Sequence, residues 1–66
     1  MGRYHLNFFD FGGALDARLT LNSISDEAVH EIAATMLSNT RYSLVEVFDN
    51  RNLLYFLGRA AERMSA

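Results

Sequence analysis

Leu15-Asp16-Ala17-Arg18-Leu19-Thr20-Leu21 alternates apolar and polar side chains without a break. A period of two puts alternate side chains on opposite faces of an extended chain. The stretch therefore reads as a half-buried strand over residues 15–21, with Leu15, Ala17, Leu19 and Leu21 facing inward. Upstream, Tyr4, Leu6 and Phe8 alternate with His5 and Asn7, which predicts an aromatic-rich strand over residues 3–11. Gly12-Gly13 separates the two and can supply the positive φ angles of a tight turn. Residues 3–21 are thus expected to form a β-hairpin. The glycine pair is not a phosphate loop, because it lacks the Walker spacing and precedes a strand rather than a helix.

Downstream the period changes. Val29, Ile32, Ala33, Met36 and Leu37 recur at helical spacing, with Glu27, His30, Glu31 and Thr35 on the other side, so residues 26–38 are expected to be a helix with that apolar stripe buried. Ser25 is placed to cap it, and Asp26 and Glu27 suit the positive end of its dipole. Ile24 and Val29 hold the two positions of a hydrophobic staple, and Asn39 suits the residue after the helix. Tyr42 to Phe48 and Leu53 to Leu57 read as a third and a fourth strand, joined by the turn-forming run Asp49-Asn50-Arg51-Asn52. Residues 59–66 are expected to add a short helix or to fray. The order is ββαββ. The simplest architecture is an α+β fold, a four-stranded antiparallel sheet with one helix on one face, forming a single domain over residues 1–66.

Composition narrows the function classes. The chain has 66 residues, half of them apolar, with five Phe, three Tyr and no Cys. A chain of this size buries only about 60% of the surface exposed when unfolded, so docking on a partner or self-association is a common source of further stability. Without cysteine there is no disulfide, cysteine-built zinc site or thiol catalysis. The net charge of −2 is too small for a nucleic-acid mimic and has the wrong sign for a strongly basic nucleic-acid binder. All six basic residues are Arg, as codon bias in a GC-rich genome produces; selection for bidentate contacts to anions would produce the same pattern. No apolar run is long enough to span a membrane and Met1 to Leu6 lack the layout of a signal peptide, so the expected location is the cytoplasm.

Arg3-Tyr4, Phe8, Asp10, Gly12, Ala28, Ala33 and Val45-Glu46-Val47-Phe48-Asp49 carry a family likeness. In layout the chain resembles a group of short uncharacterised proteobacterial proteins, common in alphaproteobacteria. These open with an Arg-Tyr-aromatic strand, turn at a glycine, carry one Ala-rich helix and end strand-turn-strand. The chain departs from that pattern at Phe11-Gly12-Gly13, where the group has an Asp-Gly turn, and in the acidic step leading into the helix. The resemblance implies a fold and no activity. The layout is also similar to that of small phage proteins that inhibit bacterial defence complexes, a likeness of architecture alone.

Few residues suggest catalysis or ligation. His30 has Asp26 four residues before it and Glu27 three before, a spacing that can share one helix face, but two ligands do not make a metal site. His5, with Asp10 or Asp16, could act as a base or ligand; a lone strand histidine is more often surface. No nucleophile–base–orienter set is present. No catalytic residue, metal or cofactor is therefore expected. Arg41, Arg51, Arg59 and Arg63 lie in the C-terminal half near Tyr42, Phe48 and Tyr55. They are candidate anion or rim contacts, and they supply an alternative reading as a small nucleic-acid-associated regulator. Glu46, Asp49 and Glu62 interrupt that set, which makes a nucleic acid the less expected partner.

The distinctive feature is a surplus of apolar faces. One helix covers one side of a sheet. If Tyr4, Leu6 and Phe8 face the helix, Phe9 and Phe11 face away. Burying Ser43, Val45 and Val47 costs less than burying the charge of Glu46, which turns Tyr42, Leu44 and Phe48 outward. The fourth strand adds Tyr55 or Phe56. The expected interface is therefore Phe9, Phe11, Tyr42, Leu44, Phe48 and Tyr55. The function this suggests is a non-enzymatic protein-interaction module, working as a homodimer or on a larger assembly through that face or a free sheet edge. A phage- or mobile-element-type inhibitor is one concrete form.

Overall fold

β1 (Gly2–Phe9), β2 (Leu15–Ser23), α1 (Asp26–Asn39), β3 (Leu44–Asp49) and β4 (Asn52–Gly58) follow one another in the ββαββ order, and a short β5 (Arg63–Ser65) is added last. They belong to a computed structural model that describes residues 2–23, 25–39, 41–58 and 63–65. The sheet order is β2-β1-β3-β4-β5 and every pairing is antiparallel. β1 is internal because it pairs locally with β2 and then, after the helix, with β3.

The first turn is organised by Asp10. Its Oδ1 accepts from the N–H groups of Gly12 at 2.9 Å and Ala14 at 3.0 Å, while its backbone exchanges bonds with Gly13 and Ala14. Gly13 sits at φ +87°, a conformation that side chains with a Cβ rarely adopt. At the second turn Asn50 takes φ +60°, which asparagine tolerates better than most residues. Its N–H donates to the carbonyl of Arg3 at 2.9 Å, tying the β3–β4 turn to the start of β1.

The core lies between sheet and helix. Tyr4, Leu6, Phe8, Val45, Val47, Tyr55 and Leu57 from the sheet are buried against Val29, Ala33 and Leu37 of α1. Ala17, Leu19 and Leu21 of β2 pack at its margin. Ser25 Oγ accepts from the Ala28 N–H at 3.2 Å, as expected of the cap, and the helix runs one residue further than expected, through Asn39. Ile24, the other half of the expected staple, lies outside the described residues.

Several placements differ from expectation. Ile32 is 39% exposed: it lies about 140° round the helix from Leu37, and a flat sheet cannot cover so wide an arc. Tyr55 is buried in the core and not on the outer face; the pairing of Val47 with Tyr55 fixes its side, and Phe56, opposite Glu46, faces outward. Tyr42 also belongs inside, its ring tilted against Phe8 at 5.1 Å between centroids. It precedes β3, which begins at Leu44, so the strand alternation does not extend to it. Finally, the expected helix or frayed end over 59–66 is replaced at 63–65 by β5, which pairs Tyr55 with Ser65, Phe56 with Met64 and Leu57 with Arg63; residues 59–62 and 66 lie outside the described residues.

Candidate functional site

The sheet face away from α1 is built in rows by the strand register. The first row runs Leu15, Phe9, Leu44, Gly58; the second Arg18, Asn7, Glu46, Phe56; the third Thr20, His5, Phe48, Leu53. Register shifts at Phe8/Phe9 and at Val47/Phe48 mark local bulges, which bring Leu15 and Leu53 into these rows in place of Asp16 and Leu54.

The first row is apolar. Phe9 and Leu44, opposite one another on β1 and β3, are half-buried, while Leu15 is 43% exposed and Phe11, in the adjoining turn, is 66% exposed. Phe11 and Leu15 thus form the most exposed apolar pair of the described residues, at one end of the sheet. Ser43 anchors that end, its hydroxyl donating to the Asp10 carbonyl at 2.7 Å and its N–H donating to the Phe9 carbonyl at 2.8 Å. Leu15 escaped the sequence reading because its alternation with Ala17 put it inside; the bulge at Asp16 reverses that.

The second row places a carboxylate among apolar neighbours. Glu46 has Leu44 and Phe48 beside it on β3, Phe56 on β4 and Asn7 on β1. Asn7 Nδ2 donates to Glu46 Oε1 at 3.3 Å.

The third row leads into an open depression lined by His5, Asn7, Arg18, Leu19, Thr20, Phe48, Asn50 and Arg51. His5 Nδ1 and Thr20 Oγ1 lie 3.2 Å apart. Of the arginines expected to act together, Arg41 and Arg51 are exposed at opposite ends of β3, Arg63 is on β5 opposite Leu57, and Arg59 lies outside the described residues. Register pairs Arg18 with Asn7, and the depression joins it to Arg51; alternation along β2 marks Arg18 only as a residue of the polar face.

On the helix side, His30 and Asp26 do lie near each other, but each has structural partners. The His30 ring is tilted against Tyr55 with centroids 6.1 Å apart, and Asp26 accepts from the Tyr4 hydroxyl at 2.5 Å. That bond, with burial second, pushes the Tyr4 hydroxyl up to about 12. Among the described residues no group of three or more His, Asp or Glu is placed to hold a metal ion, and no helix is long and apolar enough to cross a membrane.

No family model, curated protein or solved structure matches this chain. The functional reading therefore rests on the geometry of the outer face.

Proposed function

We propose that this domain is a non-enzymatic protein-interaction module whose docking surface is the apolar end of the outer sheet face. The observation that carries this reading is the cross-strand row Leu15, Phe9 and Leu44, with Phe11 in the adjoining turn; Phe11 and Leu15 are the most exposed of the four. Aromatic and aliphatic side chains held on a rigid strand pair lose little conformational freedom on docking, and each Å² of apolar surface removed from water contributes about 25 cal/mol before orientation costs. Phe56 and the Leu44–Phe48 flank extend the surface around Glu46, so a partner offering a cation at that point satisfies the carboxylate without leaving it buried alone. The partner is a second copy or a larger assembly, and an inhibitor of such an assembly, as the phage-like layout suggests, is one form the module can take.

The test is site-specific photo-crosslinking in cells. With a photoreactive residue in place of Phe11, discrete adducts are expected, to another copy or to a different protein. The same residue in place of Asn22, exposed at the far end of β2, should give few. Equal yields from the two positions would sink the reading.

A further inference from the structure

The opposite end of the outer face has a different character. In a chain with net charge −2, one depression gathers two exposed guanidinium groups, Arg18 and Arg51, and no carboxylate among the described residues lines it. Among the described residues neither guanidinium is engaged with an acid. The same depression is lined by half-buried Phe48 and by three side chains able to donate or accept hydrogen bonds, Asn50 and the paired His5 and Thr20. The two cations come from separate elements, Arg18 from β2 and Arg51 from the β3–β4 turn, so the sheet and the Asn50 turn conformation bring them to one site.

We propose that this depression binds a nucleotide unit, a flat ring carrying a phosphate, taken either free or as part of a single strand. Guanidinium groups bind phosphate through paired N–H donors, which a lysine ammonium cannot reproduce. A phenylalanine ring on a sheet face is a stacking platform for a base of any identity, and His5, Thr20 and Asn50 supply contacts for the sugar and base edges. An inorganic anion alone would leave the Phe48 ring without a role, and an apolar protein segment would leave both guanidinium groups unmatched. The nucleotide unit uses both features at once. This site is centred at the far end of the face from Phe11 and Leu15 and shares only Phe48 with the flank of the docking surface, so the Phe11 crosslinks and the nucleotide titration test the two separately.

The experiment is a titration of isotopically labelled protein followed through backbone amide resonances, with uridine monophosphate, a short oligouridylate and inorganic phosphate as separate probes. Resonances of His5, Thr20, Phe48, Asn50 and Arg51 should move with the two nucleotide probes. Arg18→Ala or Arg51→Ala should weaken binding about tenfold, the loss expected when a charge-assisted hydrogen bond is removed. Phe48→Leu, which keeps an apolar side chain at that position, should weaken the nucleotide probes and leave any response to inorganic phosphate unchanged. Much tighter binding of the oligouridylate, falling steeply with salt, assigns the site to single strands; equal affinity for both assigns it to free nucleotides. Leu44→Glu, at the apolar end, should leave the titration unaltered. The proposal is overturned if the named resonances do not move, or if inorganic phosphate binds as tightly as uridine monophosphate with no effect of Phe48→Leu. It is equally overturned if those resonances respond only to protein concentration, which would make the depression a protein contact.

Discussion

The hydroxyl of Tyr4 donates to Oδ1 of Asp26 across 2.5 Å, linking β1 to the first turn of α1 over a separation of 22 residues. The same aspartate complements the positive end of the helix dipole. One carboxylate therefore orients the helix on the sheet and serves its N-terminus.

This bond makes alkaline stability a direct readout. A tyrosine raised to about 12 in the fold, against about 10 in an unfolded chain, holds its proton longer when folded. Between those values the folded state binds more protons, so this contribution is complete below about pH 10 and is lost as pH rises toward 12. Chemical denaturation at stepped pH should show that decline. Tyr4→Phe should remove it, along with the late-ionising component of the ultraviolet tyrosine titration. Wild type and variant ionising in parallel would contradict the assignment.

The helix face is tested by a pair of substitutions. Ile32 is exposed whereas Ala33 is buried. Ile32→Asp should therefore shift stability by no more than about 0.5 kcal/mol, as surface changes do. Ala33→Asp should unfold the domain, because an unpaired charge enters the core. Circular dichroism of both variants decides the matter, and a reversed order would mean that α1 is rotated on the sheet.

The Asp10 turn should be sensitive in a graded way. Asp10→Ala removes two hydrogen bonds to backbone N–H groups and should cost about 1–2 kcal/mol. Gly13→Ala forces a Cβ into a left-handed conformation and should cost about 1–2 kcal/mol. Gly12, whose φ is not positive, should tolerate alanine better, at the cost of a small shift of Asp10 Oδ1, which would lie 3.3 Å from the new Cβ. Urea midpoints of the three variants check the ranking.

Association is the remaining prediction. If the apolar end docks a second copy, sedimentation of wild type should show mass increasing with concentration. Leu44→Glu should suppress this, by setting a carboxylate beside Phe9 and close to Glu46. Arg41→Glu, an exposed change before β3, should leave it intact. Unchanged association of the Leu44→Glu variant would remove self-docking from the reading.

Much of this architecture was legible in the sequence because the chain's local signals agree with its tertiary structure. The period-two runs, the Gly12-Gly13 turn and the Ser25 cap each point to the element that forms, and Glu46 correctly set the facing of Leu44 and Phe48. Errors arose where local pattern and tertiary placement separate. Tyr42 follows the parity of β3 but stands before the strand starts, where it folds onto Phe8. Leu15 follows the parity of β2 but the bulge turns it over. Tyr55 and Phe56 are adjacent apolar residues, and only pairing with β3 decides which is inside. The grouping of Arg18 with Arg51 had no signal in the sequence, since it depends on a register that brings residues from β2 and a distant turn together.

The internal position of β1 governs when these surfaces come into existence during folding. The β1–β2 hairpin closes over a short loop, but Asn7 meets Glu46 across 39 residues, and so wide a closure is entropically late. Phe9 beside Leu44 and His5 beside Phe48 both straddle that seam, so a chain in which only the hairpins have formed presents Phe9, Phe11 and Leu15 without Leu44 and does not yet assemble the depression between His5 and Phe48. A ligand gripping Thr20 on one side of β1 and Phe48 on the other would act as a clasp on this last contact to form, and its effect would appear chiefly as slower unfolding of the native state.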